Sequence, residues 1–249
     1  MRCILIYLVF FLPGTACSQA VDPINTDRPD QSDGTYILPQ KKFQLETGIN
    51  FFQSPREFTD ITQSTLLRYG ISKTSEVRLL INEGLIKEED VAGRSFVLYP
   101  AALSAKHALF KERKIWPAVT VVGYIKLPFG ATKKYQLNRF APTLLLAFQN
   151  DFTDKLSLGY NLGIARNGTG DINYYLATAS FSAVLSEKFS LFAEYFSQFN
   201  SVGGPSHNMD TGLQFLLNPR LQLDMAAGSS LFDKGATTFE TFGVSYRFD

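Results

Sequence analysis

Thiol chemistry is almost missing from this chain. Its only cysteines, Cys3 and Cys17, fall within the first twenty residues. Once that stretch is removed, no disulfide framework, thiol nucleophile or cysteine metal site remains. Histidine is nearly as scarce, with His107 and His207 the whole supply. No metal-ligand cluster, Gly-rich phosphate loop or nucleotide signature accompanies them, so no metal and no cofactor is expected. An excess of positive charge is also lacking. Setting aside Arg2 leaves 24 − 1 = 23 Lys+Arg against 23 Asp+Glu, a balance that argues against nucleic acid as a partner.

A hydrophobic run long enough to span a bilayer as a helix is absent as well. The one uninterrupted apolar stretch, "CILIYLVFFL", follows Arg2 and leads into "PGTACSQA". A charged start, a short apolar stretch and a small-residue end describe a secretory leader over residues 1–20, cut after Ala20. An uncleaved anchor is the alternative. Gly14-Thr15-Ala16-Cys17 also loosely resembles a lipoprotein box, which would make an acylated Cys17 the first mature residue. An exported chain without a helical span is soluble, lipid-anchored or a membrane barrel.

What the sequence does have is alternation. In "KLSLGYNLGIAR", Leu156, Leu158, Tyr160, Leu162 and Ile164 are apolar, while Ser157, Gly159, Asn161, Gly163 and Ala165 are small or polar. Successive side chains leave a strand on opposite faces, so period two means β-structure. The same period runs through "FQLETGINF", "TSEVRLLIN", "FSLFAEYFSQF", "NMDTGLQFL", "LQLDMAAG" and "TFGVSYRFD". Stretches at 61–69, 97–109, 115–127, 141–150 and 173–185 also read as strands, with apolar residues on both faces. Together these make about twelve strands of roughly ten residues, the length that crosses a bilayer at a tilt. Longer connections near 53–60, 84–95, 128–139, 167–171, 200–207 and 229–237 alternate with shorter ones near 70–74, 110–114, 151–154, 186–188 and 218–219. An up-and-down barrel with one busy rim and one tight rim produces that order.

The composition of the two faces decides between lipid and water outside. A soluble barrel would make its outer set dense in Lys and Glu; a membrane barrel encloses a small, polar, charge-balanced set instead. Here the polar set carries sparse charges of both signs: Glu46, Arg68, Glu76, Arg78, Lys106, Lys126, Glu194, Asp210, Asp224 and Arg247. These are the expected lumen-lining charges. They act as a structural ladder that also sets ion preference and pore width. Phe43, Phe51, Tyr69, Phe110, Phe140, Phe152, Tyr174, Phe189, Phe199, Phe239 and Phe248 stand at or near strand ends, where interface girdles form. The fold expected is therefore all-β, an antiparallel up-and-down transmembrane β-barrel of about twelve strands over residues 43–249, preceded by a periplasmic arm over 21–42.

The arm carries Asp27, Arg28, Asp30 and Asp33 and three prolines. A stiffened, charged segment directly before the first strand is expected to fold into the barrel mouth and pair with Arg68 and Arg78 as a plug. A solvated tail is the alternative. Calcium binding is a third reading, although the spacing lacks the alternating ligands of an EF-hand loop. No catalytic residue is assigned. Ser206 adjoins His207 in a Gly/Pro loop, a poor frame for a catalytic pair. A membrane-embedded hydrolase is thus the weakest reading, behind a channel and a structural or lipid-binding barrel.

"NTDRPDQSDGTYILPQKKFQLETGINF", "TLLRYGISKTSEVRLLIN", "KLPFGA", "LSLFAEYF" and "LNPRLQLDMAAG" together resemble an outer-membrane "transporter" family labelled phenol meta-pathway degradation-like. It is seen in Gram-negative bacteria, Bacteroidetes included. The most specific parts are Thr26-Asp27-Arg28-Pro29-Asp30, Leu67-Arg68-Tyr69-Gly70 and Asn218 to Asp224. The resemblance implies an outer-membrane barrel that passes small molecules, hydrophobic or aromatic ones among them. The partners implied are outer-membrane lipid, a small-molecule solute and the barrel-assembly machinery acting on the C-terminal strand. The chain departs from the usual terminal aromatic, because Phe248 is followed by Asp249.

Overall fold

The computed structural model describes residues 22–248 apart from 54–58, 88–92, 171, 201–203 and 233–236. The leader, its cleavage after Ala20, Cys17 and Asp249 lie outside the described residues. The strands are β1 (Phe43–Gln53), β2 (Thr59–Gly70), β3 (Ser75–Ile86), β4 (Ser95–Leu98), β5 (Ala102–Phe110), β6 (Ala118–Lys126), β7 (Ala141–Thr153), β8 (Leu156–Arg166), β9 (Asn173–Val184), β10 (Phe189–Asn200), β11 (Ser206–Asn218), β12 (Leu221–Leu231) and β13 (Thr238–Phe248).

All neighbours pair antiparallel, and the ring closes because β1 pairs with both β2 and β13 while β2 also pairs with β3. Twelve strands make the barrel, and β4 is an extra ribbon on the far end of β3. Among the described residues each of the twelve barrel strands is paired on both sides, which is what hydrocarbon demands of a sheet that crosses it, while β4 pairs with β3 alone. Among the described residues no helix is long and apolar enough to cross a membrane.

Alternation fixes which side chains face inward. In β8, Asn161 is buried whereas Leu162 and Ile164 are 56% and 41% exposed. Across the barrel Gln44, Glu46, Arg68, Glu76, Arg78, Lys106, Glu194, Asp210, Asp224 and Arg247 are buried, while leucines and phenylalanines cover the outside. The polar set is enclosed and the oily set is turned outward, the reverse of a soluble barrel.

The termini of the barrel and the short connections 71–74, 154–155, 185–188 and 219–220 share one end, here called the lower end. The register shifts at Ala108/Phe110, Asp151/Thr153 and Leu216/Asn218 also fall there. Each extra residue bends its strand into the tight rim.

Four features depart from the sequence reading. The stretch 97–109 is two elements, because Pro100 lacks the N–H that a continuous strand would donate at that point. The lower connection 111–117, closed by an Arg113–Trp116 bridge, is longer than the upper connection 54–58, so loop length does not alternate strictly. Tyr174 and Phe239 do not join an outer girdle, because they share parity with the inward-facing Ser180 and Thr241. Phe192 and Phe196 likewise turn inward beside Glu194, and Val122, Leu145 and Ala147 form a small apolar patch inside the wall.

Candidate functional site

Residues 22–42 occupy the lumen. The segment leaves the lower rim, where Ile24 N donates to Pro219 O at 2.8 Å and Arg247 donates to the carbonyl of Asp22 at 2.6 Å. It climbs inside the barrel, turns at Pro29–Gln31, and returns to the lower rim, where Leu38 N donates to Glu76 at 2.5 Å and Lys41 N to Gly70 O at 2.8 Å. Leu38 is fully buried. An extended loop has no internal ladder, so its backbone groups must bond to the wall. They do: Asp27 N and Arg28 N reach Glu46 at 2.9 and 3.2 Å, and Gln31 N reaches Glu194 at 2.6 Å.

On the side of β2, β3 and β5 the arm meets cations. Arg78 donates to Asp27 at 2.9 Å and to Asp33 at 2.7 Å, and its other nitrogens bond Ser104. Lys106 Nζ lies 2.6 and 2.7 Å from the two Asp27 oxygens. Arg68 reaches Glu46 at 2.8 Å and Glu76 at 3.0 Å. Arg68 and Arg78 stand directly opposite in register, an arrangement that repels by itself. The carboxylates of Glu46, Glu76, Asp27 and Asp33 make it stable. Burial pushes the Asp27 carboxyl up, but Arg68, Lys106 and Arg78 outweigh that and hold it below the usual carboxylate range. Tyr124 donates to Asp33 at 2.6 Å, and the Arg78 guanidinium sits 4.8 Å from the Tyr124 ring centre.

Between β1 and β13 the arm is held by shape. Gly48 and Gly243 are partners in register, and together they open a notch in the wall. A Cβ at Gly48 would lie 2.1 Å from Arg28 Nη2, and one at Gly243 would lie 2.5 Å from Arg28 Nε. Only glycine permits so close an approach. From the notch Arg28 donates to Asp224 at 3.0 Å and to Thr241 at 2.8 Å.

On the side of β9, β10 and β11 the wall is acidic. Glu194 accepts from Gln31 N and from the Ser32 hydroxyl. Asp210 faces Glu194 in register, yet both its carboxylate oxygens are enclosed without a hydrogen-bond partner.

The arm divides the lumen. Below its tip lies a polar cavity of about 740 Å³ lined by Asp30, Ser180, Gly159, Gln149 and Gln214 and reaching Asp154 and Lys188 at the lower rim. Above it a second cavity, of about 630 Å³, is lined by Gln31, Phe52, Tyr99, Tyr135, Leu137 and Lys126. Adjacent arm residues, Asp30 and Gln31, thus touch opposite compartments.

Of the charges singled out in the sequence, Glu46, Arg68, Glu76, Arg78 and Lys106 converge on the arm from one side, and Glu194 and Asp224 from the other. Arg247 lies at the lower rim, and Lys126 is exposed in the upper cavity. Asp27 and Asp33 are consumed by Arg78 and Lys106, which removes them from the calcium reading. The histidines stand on the outer face, in the parity of the lipid-facing residues. His107 Nδ1 lies 2.8 Å from Ser75 Oγ at the lower end, and His207 Nδ1 lies 2.5 Å from the Tyr195 hydroxyl. Ser206 sits on the opposite face from His207, so they cannot act as a pair. The sequence reading missed the glycine notch and the inward Tyr124, Phe52, Phe196 and Phe239. Counting parity along each strand from Glu46, Lys126, Glu194 and Arg247 would have found Phe52, Tyr124, Phe196 and Phe239 in turn, whereas the notch needs the pairing of β1 with β13.

Comparison with known proteins places this geometry. Among solved structures, an outer membrane channel from Pseudomonas putida F1 aligns over 90% of this chain and 100% of its own, with 13% identity and a TM-score of 0.68. The NanC porin aligns over 81% of this chain and 98% of its own, with 9% identity and a TM-score of 0.62. The KdgM porin covers 83% and 99%, with 9% identity and a TM-score of 0.60. At such identities these likenesses speak for the fold. No curated protein matches the chain. The profile of one family matches residues 26–248, from the arm through the last strand. The chain belongs to that family, described as "Putative MetA-pathway of phenol degradation".

Proposed function

We propose that the protein is an outer-membrane channel for small molecules in which the lumenal arm is the plug, with the lower end in the periplasm. The observation that carries this reading is the pair of cavities meeting at Asp30 and Gln31. A barrel of twelve strands is wider than side chains alone fill and narrower than an open porin, and here the arm takes up the difference. The upper cavity favours small aromatic solutes. Tyr99 and Tyr135 meet at a tilt of 58° with ring centres 4.9 Å apart, and Phe52 lines the same cavity. The solved porins and channels of the same fold support passage rather than catalysis. His107 meets Ser75, and His207 meets Tyr195, on the lipid-facing side of the wall, away from the lumen that a solute would cross.

Purified protein reconstituted in liposomes tests this. Removing residues 21–35 should raise the entry rate of small aromatic solutes, while gel mobility with and without boiling confirms a closed barrel. Equal entry rates with and without the arm, both at the level of empty liposomes, would overturn the channel reading. The many bonds between arm and wall favour one competing reading, a permanently sealed structural barrel. That reading predicts this second result.

A further inference from the structure

The two sides of the arm are not electrostatically equivalent. Asp30, Glu194 and Asp210 gather at one height, where Ser180, Glu194 and Asp210 are in-register partners on β9, β10 and β11. Among the described residues no lysine or arginine comes within 4.0 Å of any of these carboxylates; the nearby Arg28 is given to Asp224. Asp210 is 3% exposed, and both its oxygens are unpartnered; Ser180 Oγ is enclosed and has no partner besides the Asp30 carboxyl that it faces. Leaving such groups buried and unmatched costs free energy unless something of opposite charge joins them. The lower cavity runs from the rim to Asp30 and Ser180, with Asp151, Asp154 and Glu187 against Lys155 and Lys188 near its mouth. It is therefore an aqueous path from the rim to Asp30 and Ser180.

We propose that Asp30, Glu194, Asp210 and Ser180 bind a hydrated divalent cation that ties the tip of the arm to β10 and β11. A divalent ion suits three carboxyls that no lysine or arginine pairs, because it takes the place of the protons that their crowding would otherwise hold. Hydration follows from spacing: among the described residues no three acidic or histidine side chains converge closely enough to enclose a bare metal ion. A cation that keeps part of its water shell and touches one or two carboxylates satisfies both conditions, as magnesium commonly does. The Asp30 carboxyl is pushed well above the usual range, first by burial and then by Glu194, Asp27 and Asp210, and a bound cation relieves that repulsion. The site tethers the plug from the side that the arginines do not reach. It does not depend on solute passage, so its test stands apart from the transport assay.

The full-length protein, stripped with EDTA in a potassium chloride buffer, is titrated with MgCl₂ and with CaCl₂ by calorimetry. The expected result is one ion per barrel with a Kd on the order of 10⁻⁴ M or tighter. Asp210→Asn, and separately Asp30→Asn in the arm, should weaken binding by about tenfold or more, whereas Asp151→Asn near the cavity mouth should leave it unchanged. Ser180→Ala provides a milder variant should Asp210→Asn fail the gel-mobility check for a closed barrel. Absence of binding overturns the proposal. So does binding that survives Asp210→Asn and Asp30→Asn, or binding that potassium matches ion for ion. An effect of Asp210→Asn without one of Asp30→Asn would overturn the tie to the arm.

Discussion

The arm faces two walls, and they hold it in opposite ways. Toward β2, β3 and β5 every arm carboxylate finds a cation: Asp27 meets Arg78 and Lys106, and Asp33 meets Arg78. Toward β9, β10 and β11 the arm presents Asp30 to further acids, and Asp210 is left without a partner. Buried charge stabilises only when it is matched. The first contact is therefore fixed by the protein alone, and the second is open to adjustment by what the lumen contains.

The largest blow to the firm side is Arg78→Ala, which strips the shared partner from Asp27 and Asp33. Removing one member of such a buried group costs about 3–5 kcal/mol, and the loss should appear as a lowered unfolding midpoint of the detergent-solubilised barrel. The channel reading also predicts faster solute entry for this variant. A sealed structural barrel predicts lost stability alone.

Asp27→Asn should cost somewhat less, about 1.5–3 kcal/mol for hydrogen bonds to charged groups, and its effect should depend on acidity. In the folded protein the Asp27 carboxyl titrates below its ordinary value because Arg68, Lys106 and Arg78 outweigh its burial. The unfolded chain therefore takes up this proton first as pH falls. The advantage of wild type over Asp27→Asn is full above about pH 4 and shrinks as pH falls below that. Melting curves at neutral pH and at successively lower pH should show the two proteins converging. Convergence on the alkaline side instead would mean that Asp27 is not held by these cations.

Gly48→Leu should expel Arg28 from its notch, since the added Cβ alone would meet the guanidinium. Overpacking of this kind costs about 1–3 kcal/mol, most of it in the arm's attachment. Proteolysis of the arm should quicken while the barrel stays closed on unboiled gels. An arm equally protected in wild type and variant would show that the notch does not hold it.

The smallest effect carries the opposite sign. In buffer free of divalent ions, Asp210→Asn should raise stability by about 1 kcal/mol, because it discharges an unmatched buried group. Thermal melts with EDTA measure this directly. A loss like that of Asp27→Asn would erase the contrast between the two walls.

Much of this was legible without coordinates. The parity of Leu156 to Ile164 against Ser157 to Ala165, continued through the later strands, told oily face from polar face, since in a strand facing is a matter of odd and even. The same parity placed Glu46, Arg68 and Glu194 inside. Where apolar residues lay on both faces, as in β9 and around Phe239, proximity to a strand end was a poorer guide than parity. It put Tyr174 and Phe239 on the wrong side. The break at Pro100 was written in the sequence, through the missing N–H.

Partnership was another matter. Arg28 reaches Asp224 across 196 residues of chain, and Arg78 reaches Asp27 across 51. Nothing local says which carboxylate a given arginine will meet, because barrel closure and register bring distant strands to the same height. The sequence by itself determined a strand-built wall with a charged interior, since each residue's facing follows from backbone geometry one position at a time. Only the tertiary structure decided that the arm lies within that interior, that facing glycines make room for its arginine, and that one wall is matched in charge while the other is not. Those outcomes depend on distances across the lumen, which are set only when the last strand pairs with the first.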